Sequence, residues 1–130
     1  MKKIILIGLL ISFVSCNSQD KKTTIILDIE VAEFQQLISK KNVQLIDVRT
    51  PVEFKKGHLK NAKLINFFDK DFKSEILKKI DKNKPVYVYC KSGGRSAKAA
   101  KIYKAAGFKK VFNLLGGFNA WSASGLEIEK

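Results

Sequence analysis

Apolar and polar positions alternate with two different periods along residues 25–130, and the switches between them outline the fold. Ile25-Ile26-Leu27 opens as a short strand or docking segment. Val31, Phe34, Leu37 and Ile38 then fall at helical spacing, which predicts an amphipathic helix from Val31 to Ser39. Gln44-Leu45-Ile46-Asp47-Val48 is an apolar run of strand length, closed by Arg49-Thr50-Pro51. Val52 to Lys56 makes one helical turn ended by Gly57, and Ala62 to Asn66 reads as another short strand. Phe72, Ile76, Leu77 and Ile80 return to helix spacing among lysines that face water. Val86-Tyr87-Val88-Tyr89 is the best strand in the chain, being β-branched and aromatic throughout. An Ala/Lys helix from Ser96 to Ala106 stops at Gly107. Val111 to Leu114 forms a further strand, and Gly116-Gly117 opens a final helix through Phe118 and Trp121. Strands alternating with helices predict an α/β fold: a central parallel sheet of about five short strands with helices on both faces.

The pattern ahead of this domain differs. Met1-Lys2-Lys3 precedes an apolar run from Ile4 to Val14, which is too short for a membrane-spanning helix. A basic start and a short apolar core are the pattern of a secretory signal. Ser15 then precedes Cys16, and the polar stretch Asn17 to Lys22 follows. With Phe13-Val14-Ser15-Cys16 as its box, the segment resembles a bacterial lipoprotein signal, in which cleavage leaves Cys16 as a lipid-bearing N-terminus. An ordinary signal peptide with an incidental cysteine is the alternative. The expected organisation is a signal peptide over 1–15, a lipidated N-terminus and tether over 16–24, and one domain over 25–130. The expected location is outside the cytoplasm, held at the cell envelope by lipid and facing the periplasm.

The net charge of +13 points first to nucleic acid, but the lysines are spread along the whole chain, alternating with apolar helix faces. No nucleic-acid-binding motif accompanies them, so they read as a solvated surface and nucleic acid is not an expected partner. Attraction to anionic sulfur donors or lipid headgroups is a milder consequence. Two cysteines and one histidine exclude a zinc-cluster protein and a disulfide-rich miniprotein, and no cofactor is expected.

The candidate chemistry lies where the best strand ends. Cys90-Lys91-Ser92-Gly93-Gly94-Arg95-Ser96 runs from that strand into the next helix, the position where open α/β sheets bind ligands. Consecutive glycines let several backbone N–H groups converge, and such a nest at a helix N-terminus stabilises an anion. Arg95 and Lys91 add positive charge. A thiol placed there should be acidified and therefore nucleophilic at neutral pH. A buried, inert Cys90 would explain neither the glycine pair nor Arg95, and lipid on Cys16 would prevent a Cys16–Cys90 disulfide.

On these residues the chain resembles a single-domain rhodanese. Leu45 to Arg49 with Glu53 and Gly57-His58-Leu59 matches one family motif, the loop Cys90 to Ser96 a second, and Leu115 to Trp121 a third. The resemblance implies a sulfurtransferase in which Cys90 takes a sulfane sulfur from a donor such as thiosulfate, as a persulfide. The sulfur then passes to cyanide or to a thiol, protein thiols included. The substrate would be held by Lys91, Ser92, Gly93, Gly94, Arg95 and Ser96. Cysteine phosphatases with a related fold have five residues between Cys and Arg, and this chain has four. A non-catalytic binding module of the same fold is a further alternative, though such modules typically lack the cysteine. Asp47, Arg49 and Glu53 are expected to form one supporting network beside the site, and His58 to serve structure in its turn.

Overall fold

The computed structural model describes residues 23–130. The expected signal peptide, Cys16 and most of the tether lie outside the described residues. Strand and helix alternate throughout: β1 (Ile25–Ile29), α1 (Val31–Ile38), β2 (Gln44–Asp47), α2 (Pro51–Lys56), β3 (Lys63–Leu64), α3 (Phe72–Lys79), β4 (Val86–Tyr89), α4 (Gly94–Ala105), β5 (Lys110–Leu114) and α5 (Gly117–Ala123). The strands form one sheet in the order β1-β5-β4-β2-β3, with every ladder parallel. This is the α/β architecture expected from the alternation of periods.

Register makes the two ends of the sheet distinct. Gln44 lies beside Val86, Val86 beside Val111, and Ile25 beside Lys110, so β1, β2, β4 and β5 all start at one end. They all finish at the other, and Cys90 follows the last residue of β4 there.

The core explains why β4 is central. All four of its residues are buried, as a strand covered on both faces requires. Val86 and Val88 join Ile46 and Val48 on one face, against Phe72 and Ile76 of α3 and Ala99, Ala100 and Tyr103 of α4. Tyr87 and Tyr89 join Leu45 on the other face, against Phe34 of α1 and Trp121 of α5. Small alanines on α4 let that helix lie close to the sheet, while its lysines face outward.

Several boundaries differ from the sequence expectation. Strand β3 is shorter than Ala62 to Asn66, because this edge strand pairs only with Ile46 and Asp47. Beyond it the chain still donates from Ile65 N to Asp47 O (2.9 Å) and from Phe67 N to Val48 O (3.0 Å). Strand β1 runs on to Ile29 because all five of its residues pair with β5. Thr24, placed in the tether, is bound to the domain: its hydroxyl donates to the Phe108 carbonyl at 2.5 Å. Among the described residues no helix is long and apolar enough to cross a membrane.

Candidate active site

Strand β4 delivers Cys90 to the carboxyl end of the sheet, and α4 begins four residues later at Gly94. Sequence periodicity starts that helix at Ser96. The earlier start arises because Gly93 adopts a left-handed conformation (φ 110°) and caps the helix, accepting the N–H of Ala97 at 3.1 Å. Ser96 is thereby carried inside the first turn, fully buried, with its Oγ 3.3 Å from Cys90 Sγ. The backbone N–H of Gly93 points at the same sulfur from 3.0 Å.

Cys90 is 1% exposed, and burial by itself pushes its thiol up. The donors outweigh burial. The Ser96 hydroxyl and the backbone N–H groups of Ser96, Gly93 and Ser92 together hold the thiol below its ordinary range. Uncharged groups lead this stabilisation, as in an oxyanion hole, and the Arg95 charge adds a coulombic attraction to the sulfur.

Arg95 plays a different part from the one its place in the loop suggests. Its guanidinium grips Glu53 of α2 in a bidentate pair, Nη1 to Oε2 at 2.8 Å and Nη2 to Oε1 at 2.7 Å. Glu53 therefore belongs to Arg95 and not to the Asp47–Arg49 network, which corrects the expected grouping. Glu53 also completes a capping box with Thr50, accepting from the Thr50 N–H (3.0 Å) and hydroxyl (2.9 Å). The Arg95 hydrogen bonds foremost, and then those from Thr50, hold the Glu53 carboxyl at about 2 despite partial burial. One carboxylate thus ties the start of α2 to the first turn of α4.

Asp47 and Arg49 form a separate, buried pair. Arg49 Nη2 lies 2.7 Å from Asp47 Oδ2 and 2.6 Å from the Gly57 carbonyl, and Nε lies 3.0 Å from both Asp47 oxygens. The guanidinium is also stacked 4.2 Å from the Phe118 ring centre. His58 stands against the C-terminal segment: its backbone pairs with Glu129, its ring stacks on Phe54 at 3.8 Å, and Nδ1 meets the Phe54 carbonyl at 3.0 Å. Lys91 is exposed and, with Arg49, Glu53, Lys56, Phe118 and Asn119, lines a cavity of about 230 Å³ beside the loop.

Sequence reasoning missed the contribution of α5. The N–H groups of Phe118 and Asn119 donate to the carbonyls of Cys90 (2.8 Å) and Lys91 (3.0 Å). These bonds require an intimate approach, because a Cβ on Gly117 would stand 2.5 Å from the Cys90 oxygen. The signal was present in Gly116-Gly117, which read as a helix start and as part of the third family motif but not as a contact with the loop.

The comparisons fit this geometry. Residues 30–124 match the family model of the rhodanese-like domain. The chain belongs to the rhodanese-like family. It is 42% identical to YqhL of Bacillus subtilis (strain 168) over 82 residues, 62% of each chain, so the match spans less than two thirds of that relative. It is 36% identical to the thiosulfate sulfurtransferase GlpE of Coxiella burnetii over 91 residues, covering 70% of this chain and 82% of that one. Among solved structures, a rhodanese-like domain protein from Staphylococcus aureus superposes with a TM-score of 0.66 at 38% identity, covering 80% of this chain and 99% of that one. At the level of the family, the relationship is to sulfurtransferases.

Proposed function

We propose that the protein is a sulfurtransferase that carries a sulfane sulfur on Cys90. The Cys90 thiolate attacks the outer sulfur of thiosulfate or a similar donor. The donor's S–S bond breaks, sulfite leaves with the electron pair, and a Cys90 persulfide remains. A nucleophilic acceptor, cyanide or a thiolate, then attacks the outer persulfide sulfur. The bond to Sγ breaks and its electron pair returns to the Cys90 thiolate. Cyanide leaves as thiocyanate and a thiol as its persulfide. Neither step needs a proton relay, so His58 has no part in it.

The observation that carries this reading is the seat of Cys90 Sγ, with the Gly93 N–H at 3.0 Å and the Ser96 hydroxyl at 3.3 Å. Both donors favour a sulfur anion there. The N–H groups of Lys91 through Ser96 hold the persulfide charge, and Lys91 meets an anionic donor at the mouth. After incubation with thiosulfate, intact-mass measurement should show one added sulfur, absent in Cys90→Ala. An unmodified wild-type mass with thiosulfate and with other persulfide donors overturns the reading.

We also propose export and lipid attachment at Cys16, supported by the basic start, short apolar run and Ser15-Cys16 junction. A Cys16→Ser variant should leave the membrane fraction, and its retention there would refute lipid attachment.

A further inference from the structure

Parallel strand direction gathers the lysines in a way their spread along the sequence conceals. Three of the segments that enter strands carry a pair of them: Lys40 and Lys41 before β2, Lys82 and Lys84 before β4, Lys109 and Lys110 at the start of β5. These segments are stitched together at the starting end of the sheet. Gln44 Nε2 donates to the Asp81 carbonyl at 3.0 Å, Lys109 N to the Lys82 carbonyl at 3.1 Å, and Ile25 N to the Lys109 carbonyl at 2.9 Å. All six lysines are exposed except Lys109, which is half-buried. Lys60 adds to them at the rim of a cavity of about 590 Å³ that it shares with Lys40 and Lys41. The acids nearby are few: Asp81, which accepts the N–H of Asn83 in its own loop, and Glu127 on the cavity wall.

The opposite end, where Cys90 lies, is closer to balance. Asp47 and Glu53 are matched by Arg49 and Arg95, and Glu30, Asp69 and Asp71 offset Lys55, Lys56 and Lys70, which leaves Lys91 unmatched at the mouth. The excess positive charge of the domain is therefore polarised along the strand direction.

We infer that this lysine-rich end of the sheet docks on an anionic phospholipid surface and turns the Cys90 loop away from it. Charge complementarity favours anionic headgroups. The entry of the chain favours a membrane over nucleic acid, because Thr24 and Ile25 are bonded to Phe108 and Lys109 at this same end. The segment ahead of the domain, whether it keeps the apolar run Ile4–Val14 or starts at a lipid-bearing Cys16, joins the domain through them. Among the described residues no exposed large aromatic stands here for base stacking, since Phe68, the aromatic among the exposed large apolar side chains, lies after β3 at the far end. Strands of four to five residues, at about 3.3 Å each, set the loop roughly 15 Å from the lysine end. That exceeds a Debye length of about 8 Å at physiological salt, so the lysines feel the surface and the sulfur site does not. The inference stands apart from sulfur transfer and from lipid on Cys16.

The test is co-sedimentation of the full chain with vesicles of phosphatidylcholine alone and with added phosphatidylglycerol. The difference between the two isolates the electrostatic part, since the leader is the same in both. Phosphatidylglycerol should strengthen binding, added salt should abolish the gain, and Lys40→Gln/Lys41→Gln/Lys82→Gln/Lys84→Gln should reduce the gain by more than about tenfold. Lys55→Gln/Lys70→Gln, at the other end, should keep it. Alkylation of Cys90, followed by peptide mass, should proceed at the same rate with and without vesicles. An equal loss in the control variant, protection of Cys90, no gain from phosphatidylglycerol, or tighter binding to duplex DNA than to these vesicles each overturns the inference.

Discussion

Arg95 and Glu53 face each other across 42 residues of sequence in a bidentate pair at 2.7 and 2.8 Å. The pair fastens α2 to the first turn of α4, the turn that supplies the donors around Cys90. The arginine of the loop thus acts chiefly as a mechanical link, and the sulfur is stabilised by peptide and hydroxyl dipoles. This division suits a persulfide carrier, whose anion must be held firmly enough to form and released when the acceptor attacks.

Glu53 gives the domain an acid-sensitive fastening. Its carboxyl titrates at about 2 in the folded protein against an ordinary 4.5, chiefly through the Arg95 hydrogen bonds. A depressed folded value means that the stabilisation is fully present above 4.5 and fades as pH falls toward 2. Urea unfolding of wild type and Glu53→Gln should therefore differ by a constant amount, about 1–2 kcal/mol, between pH 5 and 8. The gap should close on acidification below pH 4.5. A gap that persists unchanged at pH 3 would show that the carboxylate charge is not what matters.

Ser96→Ala removes the hydroxyl 3.3 Å from Cys90 Sγ and leaves the backbone donors in place. The thiol should become less acidic, moving the midpoint of the iodoacetamide pH–rate profile upward. At pH 7 alkylation should slow, by at most about tenfold, the value of one hydrogen bond to a charged group. Superimposable profiles would mean that the N–H groups suffice alone.

The elements legible in the sequence were those fixed by local pattern. Val86-Tyr87-Val88-Tyr89 announces a strand buried on both faces, and Cys90 through Ser96 announces an anion nest because its cysteine and glycine pair lie close together in one short stretch. Partners chosen by the fold were not legible. Glu53 could have paired with Arg49 or Arg95, and only the approach of α2 to α4 decides for Arg95. The start of α4 moved back to Gly94 because a left-handed Gly93 caps it without a side chain, leaving no cap residue to read. The lysines seemed scattered because their grouping depends on the common direction of the strands.

Gly117 should be the least replaceable glycine near the site. A methyl group there would collide with the Cys90 carbonyl at 2.5 Å and with Lys91 at 2.8 Å, at a backbone φ of 57°. Gly117→Ala should cost about 2–4 kcal/mol in urea unfolding and change the alkylation rate of Cys90. Gly125 supplies the control, being left-handed (φ 72°) with no neighbour within 4 Å. Gly125→Ala should cost about 1 kcal/mol from backbone strain and leave Cys90 reactivity as it was. Equal effects at both positions would remove the clamp between α5 and the loop as an explanation.

The buried Asp47–Arg49 pair tests whether a charged group beside the site serves the fold or the chemistry. Arg49→Met would leave Asp47, which is fully buried, without its partner and the Gly57 carbonyl without its donor. Removing one member of such a pair costs about 3–5 kcal/mol. Asp47→Leu should be comparably destabilising, whereas the double variant should recover part of the loss, because no uncompensated charge remains. Urea unfolding of the four proteins gives the coupling directly. Under conditions where each is folded, Cys90 alkylation in Arg49→Met should stay within about twofold of wild type, since the sulfur's donors come from the Cys90–Ser96 loop. Little loss of stability with a large loss of reactivity would instead place Arg49 in the chemistry of the mouth it lines.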